Sequence, residues 1–210
     1  MAPAKSIKAG PRDERGVLAT RIIEVARASF AEHGKAGTSI RSVARGADVD
    51  PALVYHYFGT KDTLLNVCTT PPPEFLESVA ITWSTSREEL GASLVANLLK
   101  FWNNDSFSPI LRAILLIAAH DESTRAKLRF VVEHALMGPG LVELDAAERA
   151  TRASLVASQL MGLALMRYVW KIEPISSMTH DDVIANVGPN VQRFIDEPVI
   201  VSRPRQSRRA

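Results

Sequence analysis

Apolar residues recur at helical spacing along most of this chain. Leu18, Ile22, Ala26 and Phe30 return every four residues, backed by Ile23 and Val25, and predict an amphipathic helix over 17–33 that Gly34 stops. Ile40, Val43, Ala44 and Ala47 form the buried stripe of a short second helix, capped by Thr38 or Ser39. Ala47-Asp48-Val49 is the following turn, and Asp48 sits where a left-handed residue is needed. Asp50 then caps a third helix whose first position is Pro51, where no N–H is required. Val54, Tyr57 and Phe58 share one face of it, leaving Pro51, Ala52, Leu53, Tyr55 and His56 available to a partner. A fourth helix over 61–68 is ended by Thr69-Thr70-Pro71-Pro72-Pro73.

Beyond the prolines the pattern stays helical. Ser86 with Glu89 reads as a capping box before a helix to about Asn103 that carries Leu90, Leu94, Leu98, Phe101 and Trp102 on one side. The very apolar stretch 108–120 predicts a helix buried nearly all round, and 122–137 an amphipathic one ending at Gly138-Pro139-Gly140. Asp145 with Glu148 opens a long helix to about Lys171, and Thr179 with Asp182 caps a last helix kinked at Pro189. No strand-like alternation and no fixed-period repeat occur, so the expected fold is all-α.

The 210 residues suffice for one large domain or two small ones. We expect a flexible basic arm at 1–16, a helix-turn-helix domain at 17–68, a larger helical domain at 73–197 and a basic tail at 198–210. The net charge of +2 hides an asymmetry. Residues 1–66 hold ten Lys/Arg against seven Asp/Glu, residues 67–202 eleven against sixteen, and the tail from 203 four Arg. A polyanion is therefore expected near an end, not at the middle. Lys5, Lys8, Arg12 and Arg15 could follow a duplex backbone, or simply be solvated. The lone Cys68 and the lack of a membrane-spanning run or signal sequence suit a cytoplasmic protein. His33, His56, His120, His134 and His180 are scattered without metal-ligand spacing, and no nucleophile elbow, P-loop or dinucleotide fingerprint is present. No cofactor, metal or enzymatic activity is expected. An all-α enzyme with His134 or His120 as base lacks any carboxylate that the sequence can place beside it.

Three motifs in order carry a resemblance: V-A-x-x-A-x-V over Val43 to Val49, Y-H-Y-F over Tyr55 to Phe58, and G-T-K-D-x-L over Gly59 to Leu64. In type, spacing and order they resemble the TetR family of bacterial transcriptional repressors. The family usually has Gly where this chain has Asp48. The resemblance implies that the third helix enters a DNA major groove. Physical chemistry then suggests the contacts. Tyr55 and His56 can donate to phosphates, Lys61 sits in the first turn of the next helix, and Thr38 and Ser39 hold the matching place on the second. Pro51, Ala52 and Leu53 suit thymine methyls. Arg41 suits a bidentate guanine contact, worth about 1–3 kcal/mol of discrimination, or a phosphate contact only. Asp50 could accept from cytosine, but capping is its expected use.

The same resemblance implies a homodimer paired through the last two long helices, and a small-molecule pocket in the helical body whose occupancy changes the spacing of the DNA-binding heads. Ser154, Ser158 and Gly162 would permit close approach, with Leu155, Met161, Leu165 and Val169 nearby and Val187, Val191 and Phe194 on the final helix. Leu163 is expected in the core. Trp83, Phe101, Trp102, Ile114, His134, Met137, Gln159 and Met166 are the expected pocket lining, or else ordinary core. Arg112 and Arg167 offer anchors for an acidic ligand, against solvated or ion-paired roles. The function implied is a repressor that binds a palindromic operator and is released by a small apolar or amphipathic ligand. The alternative is a helical ligand-binding protein without sequence-specific DNA binding.

Overall fold

The computed structural model describes residues 11–135 and 144–200, with side chains for all but 11–15 and 133–135. In chain order the helices are α1 (Pro11–Gly37), α2 (Ile40–Gly46), α3 (Pro51–Phe58), α4 (Lys61–Cys68), α5 (Pro73–Thr82), α6 (Leu90–Trp102), α7 (Ser108–Ala118), α8 (Glu122–Ala135), α9 (Ala146–Ala164) and α10 (His180–Asp196). A 3-10 turn (Arg87–Glu89) precedes α6, and a π-helical turn (Leu165–Val169) extends α9. Among the described residues there is no strand. The fold is all-α, and it divides into two compact units.

The first unit comprises Met1–Thr70 and Ala113–Arg125. Ile22, Ala26, Phe30, Val43, Ala44, Val54, Leu64 and Cys68 are completely enclosed in its core. Ala113 and Ile117, on the second half of α7, complete that core, so 113–125 packs with the first unit rather than with the body to which its place in the chain assigned it. A helix-turn-helix pair cannot enclose its own apolar faces, and α1, α4 and this corner supply the missing cover. Gly34 breaks α1 at φ 64°, a backbone that other residues rarely adopt, and turns the chain into α2. At the α7–α8 corner Asp121 accepts from the Thr124 N–H at 2.8 Å and from the Thr124 and Ser123 hydroxyls. Burial alone would raise its carboxyl pKa, but those bonds and the charge on Lys35 outweigh it and hold the group below its usual range.

The second unit comprises Pro71–Arg112 and Ala126–Ala210. Val79, Trp83, Leu90, Leu94, Val95 and Leu99 pack against Val156, Leu160 and Leu163 of α9 and Val183, Val191 and Ile195 of α10. α6 and α10 cross at two glycines, and a Cβ on Gly91 would lie 2.4 Å from the Gly188 carbonyl oxygen. Arg152, almost wholly buried, pairs with Glu148 at 2.7 Å and donates to the Phe194 and Ile195 carbonyls at the end of α10.

Several expectations change. α1 begins at Pro11, inside the stretch expected to be flexible, because Pro fits a first helical turn that needs no N–H. Residues 1–10 and 201–210 lie outside the described residues. α5 begins at Pro73 for the same reason, where the proline run reads only as a break. Ser86 makes no capping bond. Asp145 does cap α9, but the Glu148 carboxylate turns to Arg152 instead of closing the box. α7 leaves Pro109 and Arg112 exposed, so it is not buried all round.

Candidate nucleic-acid interface

The turn between α2 and α3 is fixed by short-range bonds. Ser39 and Ser42 cap each other reciprocally, each hydroxyl accepting the other's backbone N–H at 3.0 Å. Asp48 is left-handed at φ 51°, and its carbonyl accepts from the Arg21 guanidinium at 3.3 Å. The Asp50 carboxylate accepts from the Ala52 N–H at 2.7 Å, which commits it to capping. Val54 and Phe58 anchor α3 to the core. Gly59 at φ 69° stops it, and Thr60 caps α4 through the Thr63 N–H.

This clamping leaves the other side of α3 open. Tyr55 is 55% exposed, Ala52 and His56 are exposed, and Pro51 and Leu53 are half-buried. Ser39 and Arg41 are exposed on α2. Arg45, also exposed in the last turn of α2, is a further cation on this short helix.

Two expected phosphate contacts are corrected. The Thr38 side chain is buried, donates to the Gly34 carbonyl at 2.9 Å and bonds the Ser29 hydroxyl. The Lys61 ammonium donates to the carbonyls of Lys35 at 2.8 Å and Thr38 at 3.0 Å. It ties the start of α4 to the α1–α2 junction, at the edge of a cleft of about 590 Å³ that His33, Lys35, His120 and Asp121 also line. Both side chains are therefore positioning groups. The carbonyls they bind are those of Gly34, at the break in α1, and of Lys35 and Thr38 between that break and α2.

Residues 22–68 match the model described as bacterial regulatory proteins of the tetR family, and residues 88–195 the one described as a tetracyclin repressor-like C-terminal domain. A TetR-family regulator from Streptomyces coelicolor is 31% identical, with a TM-score of 0.60 over 89% of this chain and 99% of that one. The chain belongs to the TetR family of DNA-binding transcriptional regulators. An HTH-type transcriptional repressor of Mycobacterium tuberculosis is 45% identical over 51 residues, which are 24% of this chain and 27% of that protein. The matches to the first curated relatives span only about a quarter of their length. A SmeT–triclosan complex shares the fold, with 16% identity and a TM-score of 0.54 over 90% of this chain and 98% of its own.

In the second unit of this TetR-family chain, the expected ligand-lining residues Trp83, Phe101 and Trp102 are buried, whereas Ile114, also buried, belongs to the first unit. Phe101 meets Phe75 edge-on, and Trp102 stacks on Tyr168 at 5.2 Å. Gln159 and Met166 are half-buried. The His134 side chain and Met137 lie outside the described residues. Along α9 and its π-helical turn, Ser154 and Ser158 are exposed, and Leu155, Met161, Gly162, Leu165 and Val169 are half-buried. Val187 and Phe194 are half-buried on α10. Val191 is corrected: it is completely enclosed within one chain and offers nothing to a partner. Leu163 is core, as expected.

Proposed function

We propose that the protein is a repressor that grips a palindromic operator as a homodimer in the cytoplasm and lets go when a small molecule occupies its helical body. The observation that carries this reading is the solvent-facing side of α3, Ala52, Tyr55 and His56, held rigid by a capped turn and two core anchors. A helix so presented suits a major groove. Tyr55, His56 and Ser39 fix register on phosphates, Arg41 reads a guanine, and Pro51, Ala52 and Leu53 meet thymine methyls. Pairing through Ser154, Leu155, Ser158, Met161, Gly162, Leu165 and Val169 with Val187 and Phe194 gives two heads to match two half-sites. The triclosan complex of SmeT supports an apolar effector.

The reading is tested by mobility shift on a duplex obtained by selection with the full-length chain. Arg41→Ala should relax base preference at one position per half-site, at a cost of about 1–3 kcal/mol for the preferred base. Tyr55→Ala should weaken all sequences alike. The two outcomes exchanged would contradict the assignment. Absence of any preferred duplex would favour a ligand-binding protein without sequence-specific DNA binding.

A further inference from the structure

The end of α2 carries a residue type at odds with its geometry. The Asp48 N–H donates to the Arg45 carbonyl at 3.3 Å and the Val49 N–H to the Ala44 carbonyl at 3.0 Å. These two bonds close the helix in a Schellman motif, whose left-handed position is usually glycine because a Cβ is strained there. Here that position is Asp48, at φ 51°. Aspartate tolerates such a backbone better than most residues, but still at a cost. Asp48 is exposed, so core packing does not enforce its conformation.

α1 braces this turn from outside. Arg21 and Val25 stand one helical turn apart on α1 and so share a face. At Val25 the approach is close: a Cβ on Gly46, the last residue of α2, would lie 2.8 Å from Val25 Cγ1. At Arg21 the guanidinium donates through Nη2 to the Asp48 carbonyl at 3.3 Å. That carbonyl belongs to the peptide joining Asp48 to Val49, so its direction follows ψ of Asp48, the dihedral that aims α3 relative to α2. Asp50 and Pro51 follow at once and start α3.

We infer that Arg21 is a positioning residue for DNA binding: by holding the Asp48 carbonyl it keeps α3 in the pose that meets a groove, a duty created by aspartate in a place that suits glycine. The inference rests on the reading of α3 above. It concerns populations, because apparent affinity falls with the fraction of chains in the competent pose. Without the Arg21 bond, the strained turn leaves that pose more often. With glycine at the turn the backbone is unstrained, and the pose persists without the brace.

The test measures affinity of the full-length protein for its selected duplex, well below the melting temperature, where global stability does not enter. Arg21→Met, which keeps the stem and loses the donors, should weaken binding about threefold or more. The dependence of affinity on salt should not change, since no phosphate contact is lost. In an Asp48→Gly background the same replacement should cost less than about twofold. Asp48→Ala separates strain from charge: it removes the acid and keeps the Cβ, so in that background the loss should persist. Asp48→Ser takes its place if the alanine variant does not fold.

A loss equal in every background, a loss abolished by alanine or serine as fully as by glycine, or no loss at all would each overturn the inference. So would a salt slope reduced by about one, which would make Arg21 a phosphate ligand. A wild-type chain without any preferred duplex would end the reading of α3 and this inference together. A preferred duplex bound equally well by Arg21→Met would end this inference alone.

Discussion

Lys61 illustrates how a motif can be legible while its use is not. G-T-K-D announces a helix start, and a lysine in a first turn near DNA suggests a phosphate contact. The structure instead directs its ammonium to the carbonyls of Lys35 and Thr38, 26 and 23 positions away in sequence, a relation no local pattern encodes. Lys61→Ala should therefore lower stability by about 1.5–3 kcal/mol, the range for charge-assisted hydrogen bonds, and leave the salt dependence of operator binding unchanged. Denaturant unfolding and a salt titration separate this from phosphate contact, which would flatten the salt slope without loss of stability. Asp121 makes a second residue-scale prediction. Its folded pKa is depressed, so its contribution is full above the unfolded carboxylate value and is lost as pH falls through the folded one. Asp121→Asn should destabilise the protein by about 1 kcal/mol at pH 7, as for a lost cap, and the difference from wild type should shrink in acid. Unfolding curves at neutral pH and near pH 3 check the sign.

Among the elements, those defined by caps and breakers were readable. Asp50-Pro51, Thr179 with Asp182, and the stop at Gly34 are local signals, and each appears as a bond or a dihedral in the structure. What the pattern could not show was which helices touch. The close crossing of α6 and α10 depends on Gly91 and Gly188, about a hundred residues apart, and neither interrupts its helix. Gly91→Ala would push a methyl into backbone on the facing helix and should cost about 1–3 kcal/mol, read as a lower melting temperature. Gly162→Ala is the control within one chain: its Cβ would meet nothing within 4 Å, and helix propensity favours alanine by about 1 kcal/mol. The Thr38 and Val191 expectations failed for a related reason. Helical periodicity gives a face, but whether that face meets solvent or another helix depends on packing at long range.

For the molecule as a whole, membership of the TetR family explains why a small head accompanies a larger helical unit. No helix among the described residues is long and apolar enough to cross a membrane. The pairing surface proposed on α9 predicts that Gly162→Phe separates the dimer while each chain stays folded, as seen by sedimentation alongside circular dichroism. The central claim is that the exposed side of α3 reads DNA in a symmetric pair. Selection of binding sites by the full-length chain from a random duplex pool tests it most directly. The account predicts an enriched palindrome with half-sites centred a whole number of helical turns apart, lost when Tyr55 and His56 are both replaced by alanine. A pool that stays random, or a motif that survives that double replacement unchanged, would contradict it.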